Sequence, residues 1–335
     1  MGEGVETTTH ACCAGGAATP AGRLPGVLVD DVPPRRVLAT APRSPQPATT
    51  RGQVLVPAGA FWMGDAFDGG YPGDGEGPAR EVTLDAFRVD PTTVTNQAWA
   101  AFAKATGHVT TAEAEGFSAV FHLAYEAAGG QGDDIAGVPE TTPWWLAVAG
   151  ADWRHPEGRT SDVVRRQNHP VVHVSHDDAL AYCAWAGKRL LTEAEWERAA
   201  RGVLERARFP WGDERSPRGR TMLNTFTGRF PEHSTGEDGY LTTAPVKTFP
   251  PNGLGLFQAA GNVWEWCADW YSADAPTATP AHDPAGFTTG ETRVMRGGSY
   301  LCHDSYCHRY RVAARSSAHP TSTAANLGFR CGNDA

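Results

Sequence analysis

Residues 297–315 read Gly297-Gly-Ser-Tyr-Leu-Cys302-His-Asp-Ser-Tyr-Cys307-His-Arg-Tyr-Arg-Val-Ala-Ala-Arg315. Two of the chain's 7 cysteines stand here in a C-x4-C spacing, among Tyr300, His303, Tyr306, His308 and Tyr310. A thioredoxin-type redox pair uses C-x-x-C at a helix N-terminus, so that chemistry does not fit. A structural zinc site needs a second Cys/His pair, which His303 and His308 supply on paper. Two thiolates with room for a third sulfur suit a soft ion, with Cu(I) the leading candidate. Arg309, Arg311 and Arg315 lie just downstream and are expected to lower the thiol pKa. The bland alternative is a structural disulfide, which a reducing compartment disfavours.

Outward from this segment, composition sets bounds. With 335 residues the chain is long enough for one large domain or two ordinary ones. Its 38 glycines and 25 prolines argue for many turns and few long elements. Its 11 tryptophans can hold a loop-rich fold together, because each buries a large area. The net charge of −9, with no basic stripe of interleaved aromatics, argues against a nucleic-acid partner. No basic segment followed by an apolar one opens the chain, and no run of 18 apolar residues occurs. The expectation is therefore no membrane span, a cytoplasmic location, and thiols that stay reduced.

Residues 1–50 are rich in Ala, Pro, Thr, Gly and Arg, lack apolar periodicity, and read as a disordered tail holding Cys12 and Cys13. From Val54 the pattern is strand, Pro-Ala-Gly turn, strand. Residues 65–80 read as a loop. Arg80–Val89 alternates and reads as one strand. Thr95 caps a helix over Asn96–Thr106, stopped by Gly107. Residues 107–170 show little periodicity, with Trp144, Trp145 and Trp153 set in an irregular core. Pro170–Val174 reads as a short strand. Ser175 caps a helix over Asp177–Ala186, and Thr192 with Glu195 forms a capping box for Glu193–Arg201. The remainder reads as loops and short strands, without an internal repeat. Cys183 sits mid-helix among Ala179, Leu180, Tyr182 and Trp185, which suits a buried free thiol. Ser299 has no nucleophile elbow and no His–Asp relay, so it reads as a hydrogen-bonding group beside the cysteines. Asn224 and Asp238 offer side-chain oxygens, with the carbonyls of Thr225 and Tyr240 nearby. Asx turns and a calcium site are both open there.

The run Gly297–Tyr300 with Cys302, then Ser305-Tyr306-Cys307, Arg309-Tyr310-Arg311, Ala313-Ala314-Arg315 and Asn326–Arg330, resembles the formylglycine-generating enzymes, the aerobic sulfatase-modifying oxidases. The likeness runs from about Val54 to Cys331. It implies an α+β fold: a single irregular, distantly C-type-lectin-like domain over residues 51–335. It also implies a copper-dependent oxidase that uses O2 to convert a cysteine in a C-x-P-x-R motif of an unfolded sulfatase to Cα-formylglycine. By resemblance, Cys302 and Cys307 hold Cu(I). Calcium falls on Asn224, Thr225, Asp238 and Tyr240, and a second calcium on Gln258, Gly261, Val263 and Glu265, where Gln258 stands in place of the usual Asn. Cys183 and Cys331 match positions that can be disulfide-bonded in the family, while Val312 replaces a cysteine of a second family disulfide.

Within this reading Trp264, Ser299, Tyr306 and Asn326 shape the pocket. His303 and Tyr306 donate to oxygen species or orient substrate, with a simply solvated His303 as the alternative. Arg309 contacts substrate. The region of Trp144, Trp145 and Trp153 lines an open groove for extended peptide, and the protein acts as a monomer. Two other functions compete. A non-catalytic binding module of the same fold would lack the cysteine pair. A sulfoxide synthase with non-haem iron would need a multi-histidine cluster, and no H-x3-H-x-E pattern occurs.

Overall fold

The computed structural model describes residues 50–274, 281–284 and 286–335. The expected tail, with Cys12 and Cys13, lies outside the described residues apart from Thr50.

Five α-helices lie among the described residues, α1 (Asn96–Thr106), α2 (Thr111–Glu115), α3 (His122–Ala127), α4 (His176–Ala186) and α5 (Glu193–Arg201), and all but α3 start at a side-chain cap. Thr95 Oγ accepts from the Ala98 N–H at 3.2 Å, and Gly107 closes α1 in the left-handed region. Complete capping boxes start α4 (Ser175 with Asp178) and α5 (Thr192 with Glu195), so orphan N–H groups are satisfied reciprocally.

The strands are short and join segments distant in sequence. One antiparallel sheet runs in the order Val54–Val56, Phe87–Val89, Cys331–Asp334, Arg189–Leu190, which brings both ends of the described chain together. A second runs Arg315–Ala318, Arg293–Arg296, Trp264–Trp270, Leu327–Phe329, with the last pair parallel. A third joins Gly59–Met63, Arg80–Leu84 and Ala281–His282. A fourth joins Phe117–Phe121, Trp145–Ala149 and Ile135–Gly137. The second sheet frames the cysteine segment, because Arg296 ends one strand just before Gly297 and Arg315 begins the next.

Three local expectations are corrected. Arg80–Val89 is two strands in two different sheets, broken at Asp85, whose N–H donates to Asp283 Oδ1 at 2.9 Å. Pro170–Val174 is not a strand. It forms one isolated bridge, Thr95 to Pro170, and His173 then turns to φ +59°. Residues 107–170 hold α2, α3 and a three-stranded sheet. That sheet lacks alternation because Ser118–Phe121 and Trp145–Val148 are buried on both faces.

Trp99, Trp145, Trp264 and Trp266 are fully buried and centre an apolar cluster that also contains Cys302, Cys307, Tyr300 and Tyr310. Burying such rings stabilises by roughly 25 cal/mol per Å² of apolar surface, so a few large residues offset the scarcity of regular structure. Among the described residues, no helix is long and apolar enough to cross a membrane.

Candidate active site at the cysteine pair

Cys302 and Cys307 place their sulfurs 3.2 Å apart, and each residue is only 1% exposed. The local chain makes this pairing. The Cys302 N–H donates to the Ser299 carbonyl at 3.0 Å, and the N–H groups of Tyr306 and Cys307 both donate to the His303 carbonyl. The resulting tight loop turns the two thiols inward together. Gly298 lies at φ +72°, and a Cβ there would stand 2.9 Å from the Arg309 carbonyl oxygen, so the returning backbone requires glycine.

Ser299 approaches the pair through its backbone: its N–H donates to Cys302 Sγ at 3.4 Å, which favours thiolate character there. Its hydroxyl oxygen accepts from Asn326 Nδ2 at 2.9 Å and from the Leu301 N–H at 3.3 Å. With two donors filling the oxygen, the hydroxyl hydrogen is left to donate onward. The Trp264 N–H donates to the Asn326 carbonyl at 2.8 Å, so Trp264 is registered beside Asn326. The Trp264 indole N–H is buried without an internal acceptor.

An aromatic wall stands over the loop. Tyr306 stacks on Phe230 with centroids 4.5 Å apart and meets Trp144 edge-on at 4.9 Å. Phe226 meets His303 edge-on at 6.0 Å, and its N–H donates to the Cys302 carbonyl. His303 is half-buried, with Nδ1 bonded to Ser305 Oγ at 2.8 Å. Trp145 and Trp153 are buried in the core, whereas Trp144 alone of the three reaches this wall.

The downstream arginines are tied to carboxylates from other parts of the chain. Arg309 pairs with Asp74 at 2.5 Å and lies over the Tyr71 ring at 4.2 Å. Arg311 makes a bidentate pair with Glu76 at 2.6 and 2.8 Å, and Arg315 one with Glu193. Each guanidinium is paired with a carboxylate, so the arginines anchor the segment. Tyr71, Asp74 and Glu76 belong to the loop 65–80, which straps the cysteine segment from outside. The Tyr71 hydroxyl meets His308 Nδ1 at 2.8 Å. Sequence reasoning passed over this strap. The signal available was a loop carrying carboxylates opposite an Arg-x-Arg run.

A cleft of about 680 Å³ lined by Leu84, Phe87, Leu180, Cys183, Lys188 and Leu190 shares no residue with this centre. The shaped aromatic wall beside two inward thiols is the better chemical site, because it holds two sulfurs close enough to act on one reacting centre.

Comparison with known proteins gives the family of the chain. The sulfatase-modifying factor enzyme 1-like domain family matches residues 38–335. The chain belongs to that family. The formylglycine-generating enzyme of Streptomyces coelicolor is 60% identical over 290 residues, which cover 87% of this chain and 91% of that protein. A bovine relative named an inactive C-alpha-formylglycine-generating enzyme 2 is 41% identical over 291 residues, covering 85% and 89%. Among solved structures, PvdO from Pseudomonas aeruginosa matches with a TM-score of 0.57 and 26% identity, over 84% of this chain and 94% of that one. The expected α+β, C-type-lectin-like architecture with little regular structure is the one found.

The family member's two expected calcium sets differ in fit. In the first, the Thr225 and Tyr240 N–H groups donate to the two Asp238 carboxylate oxygens at 3.0 and 3.1 Å, which gathers the set. Asn224 is fully buried, and its Oδ1 has no hydrogen-bond partner. Burial raises the Asp238 carboxyl above its usual range against those N–H donors. An orphaned buried oxygen beside a half-buried carboxylate is what a hard cation would satisfy. In the second set, Gln258 Oε1 is likewise buried without a partner. The Glu265 carboxylate, however, is held by Arg330 at 2.8 and 2.9 Å and by the Trp196 indole, so a cation there would share it with a guanidinium. Gly261 and Val263 lie in the connecting turn.

The first set also buttresses the cysteines. Asn224 Nδ2 donates to Asn262 Oδ1, and the Asn262 carbonyl accepts from the Tyr300 N–H. Elsewhere, Cys183 and Cys331 are buried thiols with sulfurs 3.5 Å apart, and Cys267 is a buried free thiol that burial pushes well up.

Proposed function

We propose that this protein is a formylglycine-generating enzyme: an O2-dependent oxidase that converts a cysteine of a sulfatase C-x-P-x-R segment to Cα-formylglycine. The observation that carries the reading is the inward pair of Cys302 and Cys307 beneath an aromatic wall, in a chain 60% identical to an enzyme of that name. The non-catalytic reading has a named relative at 41% identity. The assembled pair, with Ser299 and Asn326 beside it, favours catalysis.

Paired thiolates fit Cu(I), and Cys302 and Cys307 would hold it. Copper held there would supply one-electron chemistry with O2 and an affinity for soft sulfur ligands. The protein's own groups do the remaining work. The Ser299 N–H steadies Cys302 as thiolate. Asn326 fixes the Ser299 hydroxyl so that its hydrogen points away from both donors, toward a bound polar species. The Trp264 indole N–H, buried without an internal acceptor, offers a second fixed donor. Tyr306, Phe230 and Trp144 exclude water and present flat apolar faces to an extended peptide. Arg309 holds the strap through Asp74. Calcium at Asn224, Thr225, Asp238 and Tyr240 would stiffen the support of the cysteine loop. The second set, Gln258, Gly261, Val263 and Glu265, is the weaker one. The enzyme works as a monomer on unfolded chains in a reducing compartment such as the cytoplasm.

The test is mass spectrometry of a synthetic Cys-x-Pro-x-Arg peptide incubated aerobically with and without copper. The expected result is the mass change from CH2SH to CHO, dependent on copper and abolished by Cys302→Ser and by Cys307→Ser. No conversion with copper demonstrably bound overturns the oxidase reading and returns weight to the binding module.

A further inference from the structure

Besides its carboxylates, the strap 65–80 reaches the cysteine segment through a hydroxyl. The Tyr71 hydroxyl oxygen accepts from the His308 backbone N–H at 3.2 Å, and it lies 2.8 Å from His308 Nδ1. His308 Nε2 stands 2.9 Å from the Gly69 carbonyl oxygen. A carbonyl only accepts, so Nε2 carries the hydrogen, and Nδ1 of the neutral ring accepts from the Tyr71 O–H. One hydroxyl therefore holds both the backbone and the side chain of the residue that follows Cys307.

That hydroxyl is itself fixed. The Tyr71 ring packs on the His308 ring at 4.7 Å and carries the Arg309 guanidinium at 4.2 Å. The Tyr71 N–H donates to Glu76 Oε1 at 3.2 Å, and Glu76 is the buried bidentate partner of Arg311. A Cβ on Gly70 would stand 2.9 Å from Glu76 Oε2, so the chain entering Tyr71 runs against that carboxylate. Asp65 gathers the turn by accepting from the Phe67 and Gly69 N–H groups at 3.1 and 2.7 Å. The bond to the His308 N–H orients the planar peptide between Cys307 and His308, while the Cys307 N–H is fixed on the His303 carbonyl at 2.7 Å. Cys302 is held by other parts of the chain, with the Phe226 N–H on its carbonyl and the Ser299 N–H on its sulfur.

We propose that Tyr71 is a positioning residue for Cys307. By clamping His308 it keeps the Cys307 sulfur at the separation from Cys302 at which both can hold one soft ion. The inference rests on the reading of the pair as the reactive centre, and it makes an outer loop part of that centre.

The test is the thiol–disulfide equilibrium of the full-length protein with reduced and oxidised glutathione. As Cys302 and Cys307 join, glutathione disulfide takes their two electrons and two protons and leaves as two thiols, so the constant reports how closely the pair is held. Trypsin cutting after Arg296 and Arg309 releases both cysteines on one peptide, apart from the other cysteines, for mass spectrometry after alkylation. Tyr71→Phe keeps the ring and removes the hydroxyl. It is expected to lower the constant about three- to tenfold, the scale of one or two modest hydrogen bonds. His308→Gln places its amide where Nε2 stood and takes Nδ1 from the hydroxyl, so it should match Tyr71→Phe. His308→Asn places an amide oxygen where Nδ1 stood and should stay close to wild type. Cu(I) affinity, read by competition with bicinchoninate, is expected to fall in the same order. A loss below about threefold in Tyr71→Phe, or equal losses in His308→Gln and His308→Asn, overturns the proposal. If Tyr71→Phe fails to fold, the comparison of the two His308 variants decides in the same way. A wild type that takes no Cu(I) but shows the glutathione shift on Tyr71→Phe upholds the positioning role and removes copper from the pair. A wild type that oxidises the peptide while Tyr71→Phe shows no shift keeps the oxidase and removes Tyr71 from its centre.

Discussion

Arg296 is the residue whose replacement tests the architecture most directly. It is fully buried, pairs with Glu193 at 3.0 Å and with Glu197, and donates to the carbonyls of Val312 at 2.8 Å and Ala313 at 3.3 Å. It therefore clasps the far end of the cysteine segment from the residue just before its start. Arg296→Met removes both ion pairs and strands two carbonyls. Losing one partner of a buried pair costs about 3–5 kcal/mol. Glu193 retains Arg315 and Glu197 retains Arg201, so the lower end, about 3 kcal/mol, is the expected loss. Arg296→Lys keeps the charge but not the planar fork, and should recover roughly half of that.

The assay is equilibrium urea unfolding followed by tryptophan fluorescence near neutral pH. It should be repeated as pH is lowered. Burial raises the Glu197 carboxyl, but Arg201 and Arg296 outweigh it and hold its pKa below the ordinary 4.5. A depressed folded-state pKa gives stability that is complete above the unfolded value and is lost as pH falls through the folded one. The gap between wild type and Arg296→Met should therefore narrow below pH 4.5. A loss under about 1 kcal/mol at neutral pH, or a gap that widens in acid, would refute the reasoning.

Two further outcomes follow from groups outside the cysteine pair. Asn224→Ala removes the orphaned amide oxygen, so a chelator should lower the melting temperature of wild type but leave this variant nearly unmoved. Equal chelator shifts in the two would remove calcium from that set. Burial, then the neighbouring Glu193, pushes Asp269 up to about 7 from 3.8. The unfolded chain thus releases that proton first, and wild type should lose stability as pH rises through about 4–7. Asp269→Asn keeps an oxygen for the Glu193 N–H and should flatten that decline, as pH-dependent unfolding would show.

Much of the local structure was legible because its causes are local. Thr95 with Gly107, Ser175 with Asp178, and Thr192 with Glu195 mark four helix ends by hydrogen bonds that span three or four residues. The cysteine segment was legible for the same reason. Its spacing, its Gly297-Gly298 entry and its aromatic content carry the reading before any fold is known, and the chain around the segment satisfies it.

Partner choice across long separations could not be read this way. Arg309 and Arg311 look like free charge beside thiols until Asp74 and Glu76, each 235 residues earlier, neutralise them. Arg80–Val89 alternates as one strand, yet an Asp283 side chain captures the Asp85 N–H and sends its halves into different sheets. The buried sheet over Phe117–Ala149 shows no alternation because both of its faces are covered by distant chain. By itself the sequence determined the caps, the cysteine loop and the class of chemistry, all of which depend on neighbours within a few residues. The tertiary structure decided which carboxylate meets which arginine and which thiols stand side by side, because a buried charge or polar atom takes whichever partner the packed chain brings to it.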